Sequence, residues 1–557
     1  MVKRIFAIFT REIRGLHEAA YLLALFTFLS QILALLRDKL LAYMFGAGQA
    51  LDIYYAAFRI PDILFASLAS MVAASILVPF FIQRETKSAE DGKRTIDATF
   101  SLFSIAMIVA CLIAFVFVPE LIPLTLPGFS DPGSFDQIVT ITRILLLQPL
   151  FFGFSNFFSS ITQMRHRFLL YAVSPVLYNL GIIVGITVLY PNYGLDGLAY
   201  GVVFGAMLHC AVHVPYVIQN GLFPKFSLNI DWKYIKDIVK TALPRTLTLS
   251  AHQISTFFLI ALASGMVAGS ISVFTFALNL QSIPLAIVGA SYSSAVFPSL
   301  AKFFAEKDKA KFLSHAAMAM RHIIFWSIPI SVLCIVLRAQ IVRTILGAGK
   351  FDWSDTRLTA AALALFIASA VGQGLILVFV RAYYAEGKTR RPLIMNIASA
   401  FIIVILAFGL TWLYDASHMW RYFIETIMKV GEGASVLMLP LAYTIGVLFN
   451  TLMHWVAFEK DFAGFTKLVW RTAVHSIGAS VIAGYVAYGL LRPFAELFHL
   501  DTIAGVFFQG LCAGICGIII GIIVLSALRN EELREIWKTL HAKVWKARVG
   551  PSDQLPT

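Results

Sequence analysis

Three adjacent charges, Arg37-Asp38-Lys39, sit inside an otherwise apolar stretch running from Ala19 to Phe45. Each such charge costs about 2.5–3.5 kcal/mol at the centre of a membrane helix, and less near an end or facing water. A chain keeps such a triplet where it lines a wet cavity or pairs with something anionic. The next apolar stretch does the same, with Arg59 between Asp52 and Asp62. On a helix these residues form stripes. Ser30 and Arg37 are seven apart, as are Gln31 and Asp38. Asp52, Tyr55, Arg59 and Asp62 follow i, i+3, i+7, i+10, and Arg245, Thr248, His252 and Thr256 follow i, i+3, i+7, i+11.

Two readings fit the stripes. Internal ion pairs, Arg37 with Asp38 or Arg59 with Asp52 or Asp62, would fix helix packing and nothing more. Alternatively, the arginines line a cavity that binds phosphate, because a guanidinium fork matches phosphate oxygens. The excess of arginine over acid within the spans favours an anionic substrate. The expected substrate-binding set is Arg37, Asp38, Asp52, Arg59, Arg245, His252 and Asn279. Arg245 lies just past Pro244, roughly 15 Å deep in its helix at 1.5 Å per residue. Either it supplies positive charge to the cavity, with Asn279 adding a neutral hydrogen bond, or it packs beside the proline kink.

No catalytic constellation accompanies these residues. Gly347-Ala348-Gly349-Lys350 lacks the spacing of a P-loop, and neither an HExxH nor a nucleophile elbow is present. His209 and His213 stand at i, i+4 on one span, but without a third ligand they read as core histidines. The expectation is a transporter with no catalytic residue, metal or cofactor.

The elements that must position these charges are membrane helices. The chain has 557 residues, 59% hydrophobic and only 13% charged, with a mean hydropathy of +0.80. That balance excludes a soluble globular domain and predicts an all-α polytopic membrane protein. Apolar segments recur at 21–46, 52–82, 97–118, 136–163, 168–190, 195–218, 238–264, 270–300, 320–346, 358–385, 392–414, 436–458, 470–491 and 503–527. This makes about 14 transmembrane helices. The first is too long for a signal-peptide core and reads as a retained span. The five cysteines all lie inside apolar runs and read as small buried hydrophobes.

Placing Lys3, Arg4, Arg11 and Arg14 in the cytoplasm makes every second loop cytoplasmic. Those loops carry Arg84, Lys87, Lys93 and Arg94; Arg165 and Arg167; Lys302, Lys307, Lys309 and Lys311; and Lys388, Arg390 and Arg391. The stretch Pro119–Gln137 on the opposite side has no Lys or Arg. Both termini are therefore expected in the cytoplasm. The net charge of +13 is read as this topology signal plus contact with anionic lipid heads, and not as nucleic-acid binding.

Tyr55-Ala56-Ala57-Phe58-Arg59-Ile60-Pro61, followed by small residues to Pro79, has a weak echo in Phe276–Pro284, followed by small residues to Pro298. Arg59 and Asn279 correspond. The expected organisation is a cytoplasmic segment 1–18, a lobe of helices 1–6 at 19–219, and a pseudo-symmetric lobe of helices 7–12 at 220–460. Helices 13–14 occupy 461–528 and a basic tail 529–557. Repeats of this kind place the substrate between the halves. Gly510, Gly514, Gly517 and Gly521 on the last span read as a close-packing face.

Leu36-Arg37-Asp38, Phe45-Gly46-Ala47-Gly48, Asp52 and Ala57-Phe58-Arg59-Ile60-Pro61 resemble the N-terminal signature of the MurJ (MviN) lipid II flippases. These are members of the multidrug/oligosaccharidyl-lipid/polysaccharide exporter superfamily. Arg381–Pro392, Pro244-Arg245 and Val296–Leu300 also fit the family pattern. The resemblance implies two six-helix lobes around a cavity, with helices 13–14 forming a lipid-tail groove. It implies transport of an undecaprenyl-pyrophosphate-linked peptidoglycan precursor across the bacterial cytoplasmic membrane, from the inner to the outer leaflet. Implied partners are that lipid, anionic membrane lipids and cell-wall synthesis proteins. Arg37, Asp38 and Asp52 sit where the family keeps cavity charges. The chain departs from the family at Phe65-Ala66 and Leu278-Asn279, where many members carry arginines. Other readings kept open are a flippase for another polyprenyl-linked saccharide, a cation antiporter of the superfamily, and a non-transporting scaffold.

Overall fold

The computed structural model describes residues 16–68, 77–78, 81, 88–165, 167–227, the single positions 232, 236 and 240, and 253–545. Among the described residues there is no strand, and 11 helices are long and apolar enough to cross a membrane. Each of these corresponds to one predicted span, from Glu90–Thr125 to Ile503–Ala527. The other three apolar stretches comprise the Leu16–Phe45 helix and two stretches that fall partly on residues outside the described set. The protein is an all-α, multi-pass membrane protein. Its outer faces carry large apolar side chains in the open, among them Leu112, Val116, Phe401 and Trp412. Only a lipid solvent makes such surfaces stable over so many helices.

The chain divides into two compact units. The first comprises residues 1–278, 345–362 and 389–446. Here the Leu16–Phe45 helix is followed by two short helices, Gln49–Ala57 and Arg59–Ser67. The 37-residue Ala89–Thr125 helix comes next, entered through a Ser88 cap that accepts from the Glu90 amide. Pro132–Leu145 begins at Asp131, whose carboxylate accepts from the Ser134 amide at 2.9 Å, satisfying a donor that the first helical turn leaves without a partner.

Helices Phe168–Val184 and Leu195–Ala211 cross in close contact because both faces are glycine. A Cβ on Gly201 would lie 2.3 Å from the Gly185 Cα, and one on Gly181 would lie 2.2 Å from the Gly205 Cα. The backbones take the space that side chains would occupy, as small-residue faces do in lipid. Phe157, Phe158, Ile161, Leu170, Cys210 and Tyr216 fill the core beside them.

The second unit comprises residues 279–344, 363–388 and 447–557. Its core joins Phe312, Met320, Ile323, Phe379, Tyr383, Phe458 and Phe465. The last span packs on two neighbours through its glycines, as the sequence reading expects. Cβ atoms on Gly517 and Gly521 would press on Ala483 at 2.9 and 3.3 Å, and one on Gly510 would press on Gln340 at 2.8 Å. A terminal helix, Glu531–Trp545, is tied back by Glu532, which accepts from Thr472 Oγ1 at 2.7 Å and pairs with Arg321 at 3.4 Å.

Candidate functional site

Arg37 and Asp38 lie in the last third of the Leu16–Phe45 helix and pair with each other. Arg37 Nε donates to Asp38 Oδ1 at 2.9 Å, and its Nη2 lies 2.8 Å from the same oxygen. A third donor, Nη1, reaches Asn179 Oδ1 at 3.2 Å. Asn179 is held in turn, its amide donating to Pro175 O at 3.0 Å and to Ser30 Oγ at 3.2 Å. The predicted Ser30–Arg37 stripe thus exists because both residues face Asn179 on another helix. Asp38 is almost fully buried, whereas the Arg37 side chain keeps 19% of its surface. A guanidinium has five N–H donors; among the described residues three are engaged.

Arg59 is held more loosely. Its Nη2 lies 3.6 Å from Asp62 Oδ2, and its Nε donates to the Tyr55 carbonyl at 3.4 Å. Tyr178 stands one position before Asn179 on the same helix and brings a phenolic hydroxyl to it. Gln148 donates to that hydroxyl at 3.5 Å, and Phe152 packs edge-on against the ring at 4.9 Å. Among the described residues the buried Tyr55 hydroxyl has no hydrogen-bond partner. Two arginines, each paired with a carboxylate and each keeping some exposed surface, stand on separate helices in apolar stretches. A guanidinium fork suits phosphate oxygens.

Asp52 departs from its expected role of holding an arginine. Its carboxylate accepts from Gly269 N at 2.6 Å, Ser272 N at 2.7 Å and Ser272 Oγ at 2.5 Å. It therefore caps the Ser270–Pro284 helix, where the free amides and the positive end of the helix dipole favour an anion. The same corner holds three glycines with positive φ at close backbone contacts. A Cβ on Gly269 would lie 2.1 Å from Ala47 O, one on Gly349 2.3 Å from Tyr43 O, and one on Gly46 2.7 Å from Lys350 O. Lys350 N donates to Tyr43 O at 2.9 Å, and Ala47 N to Asp355 Oδ2 at 3.0 Å. Gly347–Lys350, which fails as a P-loop, is part of this clamp. Close by in sequence, Gly128 N donates to Ser264 Oγ at 3.2 Å.

Asn279 is half-buried and falls in the second unit. Arg245 and His252 lie outside the described residues. His209 and His213 are hydrogen-bonded into the core, His209 to Ser155 Oγ at 2.7 Å and His213 to Ser174 Oγ at 3.0 Å. Asn179, Tyr178 and Gln148 are site residues that the sequence reading does not single out.

Residues 41–508 match the family model described as "Lipid II flippase MurJ". Arg37 and Asp38 stand just before the matched region. The lipid II flippase MurJ of Burkholderia cenocepacia is 25% identical over 467 residues, covering 82% of this chain and 86% of the relative. The probable lipid II flippase MurJ of Aquifex aeolicus is 27% identical over 459 residues, covering 82% and 89%. Among solved structures, a lipid II flippase MurJ in an inward closed conformation superposes with a TM-score of 0.73 at 22% identity, covering 92% of this chain and all of that one. An inward-facing multidrug transporter of the MATE family superposes at 0.63 with 13% identity, covering 79% and 96%.

Proposed function

Because the chain belongs to the MurJ lipid II flippase family, we propose that it moves lipid II from the inner to the outer leaflet of the bacterial cytoplasmic membrane by alternating access. Lipid II is the undecaprenyl-pyrophosphate-linked peptidoglycan precursor. The observation that carries this reading is the paired, partly exposed Arg37 and Arg59 inside apolar spans. In this account both guanidiniums meet the pyrophosphate. Asp38 and Asn179 hold Arg37, and Asp62 holds Arg59. Arg245 adds positive charge from the 220–460 lobe, with His252 and Asn279 as neutral partners. The lobes 19–219 and 220–460 move against each other while the lipid tail stays in a groove along 461–528.

Orientation follows the Lys/Arg pattern, with both termini cytoplasmic and the tail 529–557 on anionic lipid heads. The Asp52 clamp then lies at the outer end of the bundle, where it holds the exit shut until the loaded transporter switches. Cell-wall synthesis proteins are the expected protein partners. Membrane potential, worth about 2.3 kcal/mol per charge per 100 mV, is a sufficient drive. The test is complementation of a bacterium depleted of its lipid II flippase. Growth with normal wall synthesis supports the reading. Lysis despite expression in the membrane refutes it.

A further inference from the structure

Arg143 is a membrane-span arginine outside the site described above. It lies in the Pro132–Leu145 helix, 11 positions from the helix start, and Phe115 lies 10 positions from the end of the Ala89–Thr125 helix. Both depths are roughly 15 Å at 1.5 Å per residue. Asp136, Thr140, Arg143 and Leu147 share one helical face, on which Asp136, Thr140 and Leu147 are exposed and Arg143 is half-exposed. The neighbouring helix presents exposed Leu112, Phe115 and Val116. The guanidinium therefore faces the lipid side of the bundle.

What holds it there is local chemistry. Pro119 lies inside the Ala89–Thr125 helix and has no N–H, so the Phe115 carbonyl loses its helical partner. Arg143 Nε donates to that carbonyl at 3.2 Å, and its guanidinium carbon sits 5.0 Å from the centre of the Phe115 ring. The proline kink thus supplies an acceptor and the phenyl face a cation–π seat. Among the described residues no carboxylate pairs with Arg143, whose hydrogen bond is the one to the Phe115 carbonyl. A charge on the lipid face is costly unless an anion meets it. The 36-residue span Glu90–Thr125 is roughly 54 Å long, against a hydrocarbon core of about 30 Å. With the excess shared between both ends, the guanidinium lies a few ångströms below the headgroup boundary, within reach of snorkelling.

We infer that Arg143, seated on Phe115 beside the Pro119 kink, is a binding site for the phosphate of a bilayer phospholipid. The site is on the outer surface of the bundle, at the end bearing the 126–131 loop. It is independent of what the protein transports and rests only on these helices lying in a bilayer. Native mass spectrometry of the delipidated full chain tests it, with phosphatidylethanolamine, phosphatidylglycerol, diacylglycerol and undecaprenyl pyrophosphate as probes. Both phospholipids should bind and diacylglycerol should not. Arg143→Gln, which keeps a donor for the Phe115 carbonyl, should weaken phospholipid binding about tenfold, with Arg143→Lys in between. Unchanged binding in Arg143→Gln overturns the inference, as does Arg143-dependent binding confined to undecaprenyl pyrophosphate. If Arg143→Gln fails to fold, a phospholipid with a photoreactive group beside its phosphate is used on the wild-type chain. Cross-links should map to residues 109–119 and 132–147; cross-links elsewhere overturn the inference.

Discussion

Removing the Asp52 carboxylate should open one end of the molecule without touching either arginine. Asp52 is 4% exposed and its carboxylate receives three hydrogen bonds, from Gly269 N, Ser272 N and Ser272 Oγ. A hydrogen bond to a charged group contributes about 1.5–3 kcal/mol net, and leaving a buried donor without a partner adds a penalty of similar size. Water entering the gap offsets part of this, so Asp52→Ala is expected to cost about 3–5 kcal/mol in the corner formed by residues 46–52, 269–272 and 349–355. Even 3 kcal/mol shifts an open–closed equilibrium more than about 100-fold. Asp52→Asn keeps one acceptor oxygen but turns an amide donor towards another donor, so it should fall between. The assay is thiol labelling of a cysteine at Ile271, which is fully buried, in a background without the five native cysteines. Labelling should accelerate at least tenfold in Asp52→Asn and more in Asp52→Ala, with a lower thermal midpoint. Wild-type labelling rates and thermal midpoint in Asp52→Ala would refute the assignment of Asp52 as the latch of this corner.

Three further outcomes are expected. Gly201→Val should destabilise the first unit by about 1–3 kcal/mol or more through overpacking, because its Cβ has no room beside Gly185; an unchanged thermal midpoint in detergent would contradict the close crossing. The Ser134 hydrogen bonds hold the Asp131 carboxyl below its ordinary value of 3.8. A carboxyl depressed on folding stabilises the folded state above its unfolded value and loses that contribution as pH falls through the folded one. Asp131→Ala should therefore flatten the acid limb of the stability curve below about pH 4, and an identical acid limb would show that the cap contributes nothing. Cysteines at Ser130 and Ser314 should react with an impermeant thiol reagent from opposite sides of the membrane, and labelling of both from one side would end the topology assignment.

Hydropathy made the spans readable because a bilayer demands long apolar helices whatever their tertiary partners. The ion pair Arg59–Asp62 was also legible, since neighbours at i+3 meet on one helix face, and Arg37–Asp38 was legible as adjacent opposite charges joined by the long arginine side chain. Asn179 was not legible, because it joins Arg37 across 142 positions and a lone Asn in an apolar span carries no mark of its partner. Asp52 was assigned by proximity to Arg59, yet its partners are 217 and 220 positions away. The usable signal lay at the far end: Gly269-Ser270-Ile271-Ser272 begins a helix with no acidic cap of its own. The Gly181/Gly185 and Gly201/Gly205 pairs carry the same four-residue spacing as the glycines of the last span. They mark the tighter of the two packing faces.

The central claim is that this chain carries lipid II across the bilayer with Arg37 and Arg59 on its pyrophosphate. Its most direct test is purified protein in vesicles loaded with lipid II, read by how much of the lipid becomes accessible to an enzyme confined to the opposite side. The wild-type chain should expose lipid II well above protein-free vesicles. Arg37→Ala and Arg59→Ala should reduce exposure to background while remaining folded, and Arg37→Lys should retain part of it. Exposure equal to protein-free vesicles for the wild-type chain, or full exposure by both alanine variants, would contradict the account.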